Sequence, residues 1–422
     1  MNKIIRLPIA PILLIGTIPY VKYYDVYSIT EAHRAAVLIT VEMLLFMGLL
    51  TILLKSWQKA GLIGIFLSSI AMAIYLESIF PAFIILFVVL STILERCIAY
   101  EKINIFTNVL SLAFLISTLY PLLTKVYAER HPVKTTTNPL KISGLDQKPS
   151  IVHITLDGYG SSEVLSGIYG HNNEGFQSSL EALGFQVMPN VATPYNQTLF
   201  VMSSIMSGGY VSIPKGIDNV RSYRLNLGHT ATNGPVQNVF RQADYNFAYS
   251  KSGYAYLDYE EAQLVTPTPL DLTGFEADLL NKFPELSAKN HNRTLKAGLD
   301  PANFSKLRPP FFYYQHLLAP HPPFTLTAEG LTRSTPSVLL SDGSHIINGS
   351  PERRARYISG YREKIAFVES ALLEQMKSIP KDDPIIVVIH GDHGPGAHFD
   401  QESIANSCTA ERMTTLFAIN SN

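Results

Sequence analysis

Cysteine is nearly absent: the 422 residues hold two, Cys97 and Cys408, which excludes a disulfide framework. Charge is also scarce, at 16% of residues against about 25% in a typical soluble protein. The net charge of −1 leaves no basic excess to hold a polyanion, so nucleic acid is not an expected partner. The first apolar stretch lacks a clear small-residue cleavage site, and further apolar stretches follow it. It is therefore read as an anchor and not as a removable signal peptide. The chain has no internal repeat.

What the sequence does have is apolar residues, 47% in all, concentrated in the first third. Five stretches stand out: about Leu7–Val21, Ala35–Leu54, Ala60–Phe80, Pro81–Leu94 and Ile105–Tyr127. Several approach the roughly 20 residues that span a bilayer; the first and fourth are short, and Pro8, Pro11 and Pro19 interrupt the first. Lys3 and Arg6 precede the first span, Lys55 and Lys59 lie between the second and third, and Arg96 and Lys102 between the fourth and fifth, all on one side, which marks the cytoplasmic face. This predicts a five-helix transmembrane domain over 1–127, with everything after Tyr127 outside. The region is either a plain anchor or one that also grips a lipid.

Residues 128–149 are polar, with proline and threonine, and read as a linker. From residue 150 the pattern becomes α/β. "SIVHITLDGYG" is a strand ending at Asp157-Gly158, "FQSSLEALGF" an amphipathic helix closed by Gly184, and "TLFVMSSIMSGG" a helix opened by Thr198. "RPPFFYYQHLLAPHPPF" runs from a strand into a loop rich in His and Pro. A long amphipathic helix beginning near Pro351 precedes the strand "PIIVVIHGDHGPG". Strands alternating with helices predict a mainly parallel sheet covered on both faces over 150–422.

The chemistry-bearing residues fall at strand ends, where α/β sheets bind ligands. Asp157 ends the first strand, and Asp392 with His393 ends a late one; in a parallel sheet these lie on one edge. Two carboxylates and an imidazole suit a divalent cation, with Zn²⁺ ahead of Mn²⁺ or Mg²⁺. The bland alternative is a pair of glycine turns. Thr198 is either an ordinary helix N-cap or a nucleophile made acidic by a metal and the helix dipole. Ser203 and Ser204, further along that helix, read as packing or capping residues. His316 and His321 are either exposed residues of a stiff proline loop or groups that bind phosphoryl oxygens and protonate a leaving group. His390 lies two residues before Asp392 and could support the ligands, while His153, in mid-strand, reads as a core histidine.

Taken in order, the apolar N-terminus, Asp157 at its strand end, "YNQT" opening a helix, "HLLAPHPPF" and "HGDHGPG" resemble the alkaline phosphatase superfamily. The closest likeness is to its sulfatase-like branch of membrane phosphoethanolamine and phosphoglycerol transferases. The resemblance covers residues 150 onward. It implies Asp157, Asp392, His393 and Thr198 as metal ligands and Thr198 as the nucleophile, with His316, His321 and His390 on the substrate head group. It implies a phospholipid donor, an envelope glycan or lipid-linked acceptor, and a phosphothreonine intermediate. It places the protein in the bacterial inner membrane, multi-pass, with its catalytic domain on the periplasmic face.

Two departures qualify the likeness. The C/S-x-P-x-R motif of formylglycine sulfatases is missing around Thr198, which argues against sulfate ester hydrolysis. Only Cys408 lies in the outer domain, unlike the disulfide-bearing lipid A transferases. The chain also stops soon after "TTLFAINSN", so a C-terminally short domain is expected. Two other readings stand beside the transferase: a metal-dependent phosphodiesterase-like hydrolase, and an inactive membrane protein that binds envelope glycans.

Overall fold

The computed structural model describes residues 10–23, 29–56, 60, 63–64, 105–109, 111–113, 115–116, 123, 148–212, 220–259, 262–266, 280, 283–333, 342–343, 350–380 and 384–421. The chain divides into two compact units. The first comprises Met1–Val133 with Leu272–Glu276, and the second Lys134–Asp271 with Ala277–Asn422.

In the first unit, α1 is Ala10–Tyr23 and α2 is Ile29–Leu54. Within α2, His33–Leu54 is long and apolar enough to cross a membrane; its 22 residues rise about 33 Å, against a hydrocarbon core of about 30 Å. Most of its outward side chains are apolar, Leu45 and Ile52 among them, with His33, Arg34 and Glu42 the charged or polar exceptions, while Met43 and Met47 pack inward with Ile12 and Ile15 of α1. Asn108 Oδ1 accepts the first N–H of α1 at 2.8 Å. The first two expected spans thus coincide with helices, the first only 14 residues long. The fifth is described in helical pieces only. Most of the third, all of the fourth and nearly all of the 128–149 linker lie outside the described residues.

The second unit is a three-layer α/β sandwich. In chain order its elements begin with β1 (Ser150–Leu156), α3 (Ser162–Gly167), α4 (Glu174–Ala182), β2 (Gln186–Ala192), α5 (Thr198–Ser207) and α6 (Val220–Asn233). There follow α7 (Pro235–Gln242), β3 (Asn246–Ser250), β4 (Gln263–Leu264), α8 (Pro284–Gly298) and β5 (Phe311–Leu317). The last are α9 (Pro351–Lys377), β6 (Ile385–Gly391), α10 (Thr409–Met413) and β7 (Thr414–Ser421). The sheet order is β2-β7-β6-β1-β5-β3-β4. It is mixed: β7 runs antiparallel to both its neighbours, and the remaining pairs are parallel. The predicted parallel core, β6-β1-β5-β3, is present, with β7 reversed beside it.

The central strands are apolar on both faces because helices cover both. Val152, Ile154, Leu156, Val387 and Ile389 face a layer built from α3, α4, α8 and α9. Tyr249, Phe312 and Tyr314 face Met202 and Met206 of α5, with α6 and α7 alongside. Register brings the strand ends level: Thr155 pairs with both His316 and His390, and Leu156 pairs with Leu317 and Gly391. The residues just past these pairs, Asp157 and Asp392, therefore emerge side by side. A slip of one residue would turn each of them to the wrong face.

Candidate functional site

At this edge the chain turns sharply. Gly158 follows Asp157 with φ +75°, and a Cβ there would lie 3.5 Å from the His321 backbone. Its N–H donates to Asp392 Oδ1 at 3.1 Å, and the N–H of His393 donates to the same oxygen at 2.9 Å. Two backbone donors therefore fix one oxygen of Asp392 and leave Oδ2 presented. Asp157 is held by an imidazole instead: Oδ2 lies 3.2 Å from His316 Nε2, and Oδ1 is left over. Both carboxylates are fully buried. Among the described residues, five buried side-chain atoms lack a hydrogen-bond partner, and two of them are Asp157 Oδ1 and Asp392 Oδ2. A buried carboxylate oxygen without a donor is costly, and a cation is the group that removes the cost.

His393 completes the arrangement. Its Nδ1 lies 2.9 Å from the Gly394 carbonyl, so Nδ1 carries the hydrogen and Nε2 keeps its lone pair. That Nε2 lies 3.5 Å from Asp392 Oδ2, 3.7 Å from Asp157 Oδ1 and 3.3 Å from Thr198 Oγ1. Burial, and then the Arg412 guanidinium, push the His393 pKa down, which favours the neutral ring that binds a metal. For Asp157 burial alone would raise the pKa. The imidazoles of His321, His316 and His393 outweigh it and hold the group well below the usual carboxylate range.

Thr198 lies at the first turn of α5, and the N-cap position belongs to Gln197, which makes no side-chain cap bond. The ordinary capping role is therefore not the one Thr198 plays. The residue is 7% exposed, and its hydroxyl is turned to His393, at the helix end where backbone dipoles favour negative charge. Ser203 Oγ donates to the Leu199 and Leu227 carbonyls, as expected of a packing residue.

The histidines separate. His316 stands inside the carboxylate cluster: one ligand atom each from Asp157, His316 and Asp392 lie within 4.8 Å of one another. Its Nδ1 meets the Tyr314 hydroxyl at 3.1 Å. His321 donates from Nδ1 to the Pro322 carbonyl at 2.7 Å, and its ring centre is 6.4 Å from that of His393. His390 turns towards α5, where Nε2 meets His153 Nε2 at 2.8 Å and Thr155 Oγ1 at 3.1 Å while Nδ1 meets the Gly391 carbonyl. Both its ring nitrogens are engaged within the protein. His153 is thereby tied to a strand-end residue and is more than a packing histidine.

Three buried residues escaped the sequence reading. Arg412 pairs with Asp342 and reaches His393 Nε2 with Nη2 at 3.2 Å. Asp342 also accepts from the Tyr357 hydroxyl. Lys364, fully buried, donates to the carbonyls of Leu318, His321 and Pro323 and so holds the loop that carries His321. None lies in a motif. Lys364 is one polar position on an amphipathic helix, and Arg412 sits in the plain segment "AERM". The residues present fit a divalent cation: Asp157, Asp392 and His393, with Thr198 and His316 beside them, supply hard oxygen and imidazole nitrogen donors.

No family model and no curated protein matches the chain. Among its neighbours in solved structures are phosphoethanolamine transferases and sulfatases, at 13–15% identity. The integral membrane lipooligosaccharide phosphoethanolamine transferase EptA of Neisseria meningitidis is 14% identical, with TM-score 0.40, over 81% of this chain and 61% of that one. The chain thus spans less than two thirds of that transferase. The periplasmic domain of Escherichia coli EptC, in complex with Zn, is 13% identical over 68% and 77%, with TM-score 0.38. A candidate sulfatase of Bacteroides thetaiotaomicron is 15% identical over 65% of each chain, with TM-score 0.43.

Proposed function

We propose that the chain is a membrane-anchored, metal-dependent transferase that moves a phospholipid head group, phosphoethanolamine or phosphoglycerol, to a cell-envelope glycan. The observation that carries this reading is the Thr198 hydroxyl, 3.3 Å from His393 Nε2, beside two buried carboxylate oxygens with no donor. A hydroxyl so placed can serve as a nucleophile once a cation lowers its pKa. A bound divalent cation, with Zn²⁺ the first choice, would lower the hydroxyl pKa and neutralise charge on the phosphoryl oxygens; Asp157, Asp392, His393 and Thr198 would hold it, with His316 alongside. Thr198 Oγ1 attacks phosphorus and loses its proton, the bond to the diacylglycerol oxygen breaks, and that oxygen takes up a proton. The acceptor hydroxyl then displaces Thr198 in the same way. His321, whose Nε2 is the ring nitrogen not engaged by Pro322, is the candidate to carry the proton. In this reading residues 1–127 form a five-span anchor in the bacterial cytoplasmic membrane, and the domain from residue 150 works on the periplasmic side.

The test is intact mass and peptide mapping of protein purified from membranes with phospholipid present. A phosphoethanolamine or phosphoglycerol adduct on Thr198 is expected and names the donor. An adduct on another residue, or a Thr198→Ala variant that still transfers, overturns the assignment.

A further inference from the structure

Arg412 is held by an unusual number of partners for a residue outside the ligand set. Nε donates to the Asn196 carbonyl at 2.9 Å, two residues before Thr198. Nη1 donates to the Gly394 carbonyl at 3.0 Å and pairs with Asp342. The Phe399 ring lies 4.7 Å from Cζ. Asp342 is itself fixed by Tyr357, whose hydroxyl accepts the Gly396 N–H at 3.1 Å. The guanidinium, 3% exposed, cannot swing away. Two N–H groups remain, both on Nη2, and one of them points at His393 Nε2, 3.2 Å away.

That bond conflicts with cation binding. His393 Nδ1 is committed to Gly394, so the ring has one lone pair, on Nε2. The lone pair that accepts from Arg412 is the one facing Asp157 Oδ1 and Asp392 Oδ2. It can take a hydrogen bond or a metal ion, and not both. Once it is given to a cation, the Nη2 N–H that pointed at His393 has no acceptor among the described residues, at the nitrogen that Thr198 Oγ1 also approaches.

We propose that Arg412 couples the cation to a tetrahedral oxyanion. Without the cation its Nη2 occupies His393; with the cation bound, the same N–H is released to an oxygen of a phosphate or phosphoryl group at Thr198. Cation and oxyanion then bind cooperatively, and linkage makes the effect equal in both directions, about tenfold or more. The inference rests on the metal reading of the site and concerns what this chain's arginine does when that site fills.

The experiment is calorimetric titration of the full-length protein in detergent, with Zn²⁺ and inorganic phosphate as probes. Each is titrated in the absence and presence of the other, with Zn²⁺ kept near protein stoichiometry. In the wild type, Zn²⁺ should tighten phosphate binding about tenfold or more, and phosphate should tighten Zn²⁺ to match. In Arg412→Lys, which keeps the charge but loses the fork, the coupling should shrink to about threefold or less. Zn²⁺ affinity without phosphate should hold or rise, because a competitor for the lone pair has gone. Full coupling in Arg412→Lys overturns the proposal, since charge alone would then explain it. A loss of Zn²⁺ affinity in that variant also overturns it, since the role would be structural. If Arg412→Lys does not fold, the wild-type titrations still decide: phosphate affinity indifferent to Zn²⁺ sinks the proposal and leaves the metal centre standing. A wild type that binds no Zn²⁺ sinks the metal reading itself.

Discussion

Thr198 Oγ1 and His393 Nε2 lie 3.3 Å apart across 195 residues of sequence. The contact joins the start of α5 to the turn after β6, so the proposed nucleophile and a proposed ligand nitrogen meet only when both elements are docked on the same sheet edge. It also separates the role of the hydroxyl from its role in folding, because no helix cap depends on it.

Thr198→Ala should therefore abolish head-group transfer while bound metal falls little and the thermal midpoint stays within about 2 °C of wild type. Transfer is followed by release of diacylglycerol from labelled phospholipid. Unchanged turnover would remove Thr198 from the mechanism.

Asp392→Asn and His393→Ala should each lower the metal content of purified protein, measured by elemental analysis. Asp392 should matter more to the local fold, since its Oδ1 holds the N–H groups of Gly158 and His393. Full metal content in both variants would place the cation elsewhere.

Metal removal should destabilise the second unit. A ligand that binds the folded state alone, at about 100 times its dissociation constant, contributes about 2.7 kcal/mol. Chelation should lower the melting temperature, and Zn²⁺ should restore it. The effect should vanish in Asp157→Asn, which removes one of the two oxygens left without a donor.

Lys364→Met should cost on the order of 3 kcal/mol in urea unfolding, because it strands the carbonyls of Leu318, His321 and Pro323 in the interior. An unchanged urea midpoint would mean that water replaces the ammonium group.

Asp342 sets an acid limit. Burial alone would raise its pKa; the Arg412 guanidinium, with His321, the Tyr357 hydroxyl and His393, together outweigh this and hold it below the ordinary 3.8. A depressed carboxylate stabilises the fold above its unfolded pKa and loses that contribution as pH falls through the folded value. The urea midpoint of the wild type should thus drop below about pH 4, and Asp342→Asn should be less stable at neutral pH with a flatter acid limb. Parallel acid limbs in the two proteins would exclude this pair as a source of the pH dependence.

Much of the site was legible because strand ends announce themselves. β-branched runs closing on Asp-Gly and His-Gly-Asp-His-Gly put Asp157, Asp392 and His393 at strand termini, and strand–helix alternation put those termini on one edge. The direction of each imidazole was not legible. His316 and His321 look alike in "HLLAPHPPF", yet one belongs to the carboxylate cluster and the other to the loop above it. His390 precedes the ligand pair by two residues but faces the α5 layer, because its side chain still belongs to the pleat of β6 while Asp392 lies beyond it.

By itself the sequence determined which residue types end the central strands, that helices cover both faces of the sheet, and that residues 35–54 are apolar enough to cross a membrane. These follow from local periodicity and from the chemistry of single residues. The tertiary structure decided which carboxylate oxygens go without donors, that β7 runs against its neighbours, and that Arg412, Asp342 and Lys364 close around the site. Those outcomes depend on register and on contacts between distant segments, where a buried charge is defined by the partners that surround it and leaves no mark in the sequence next to it.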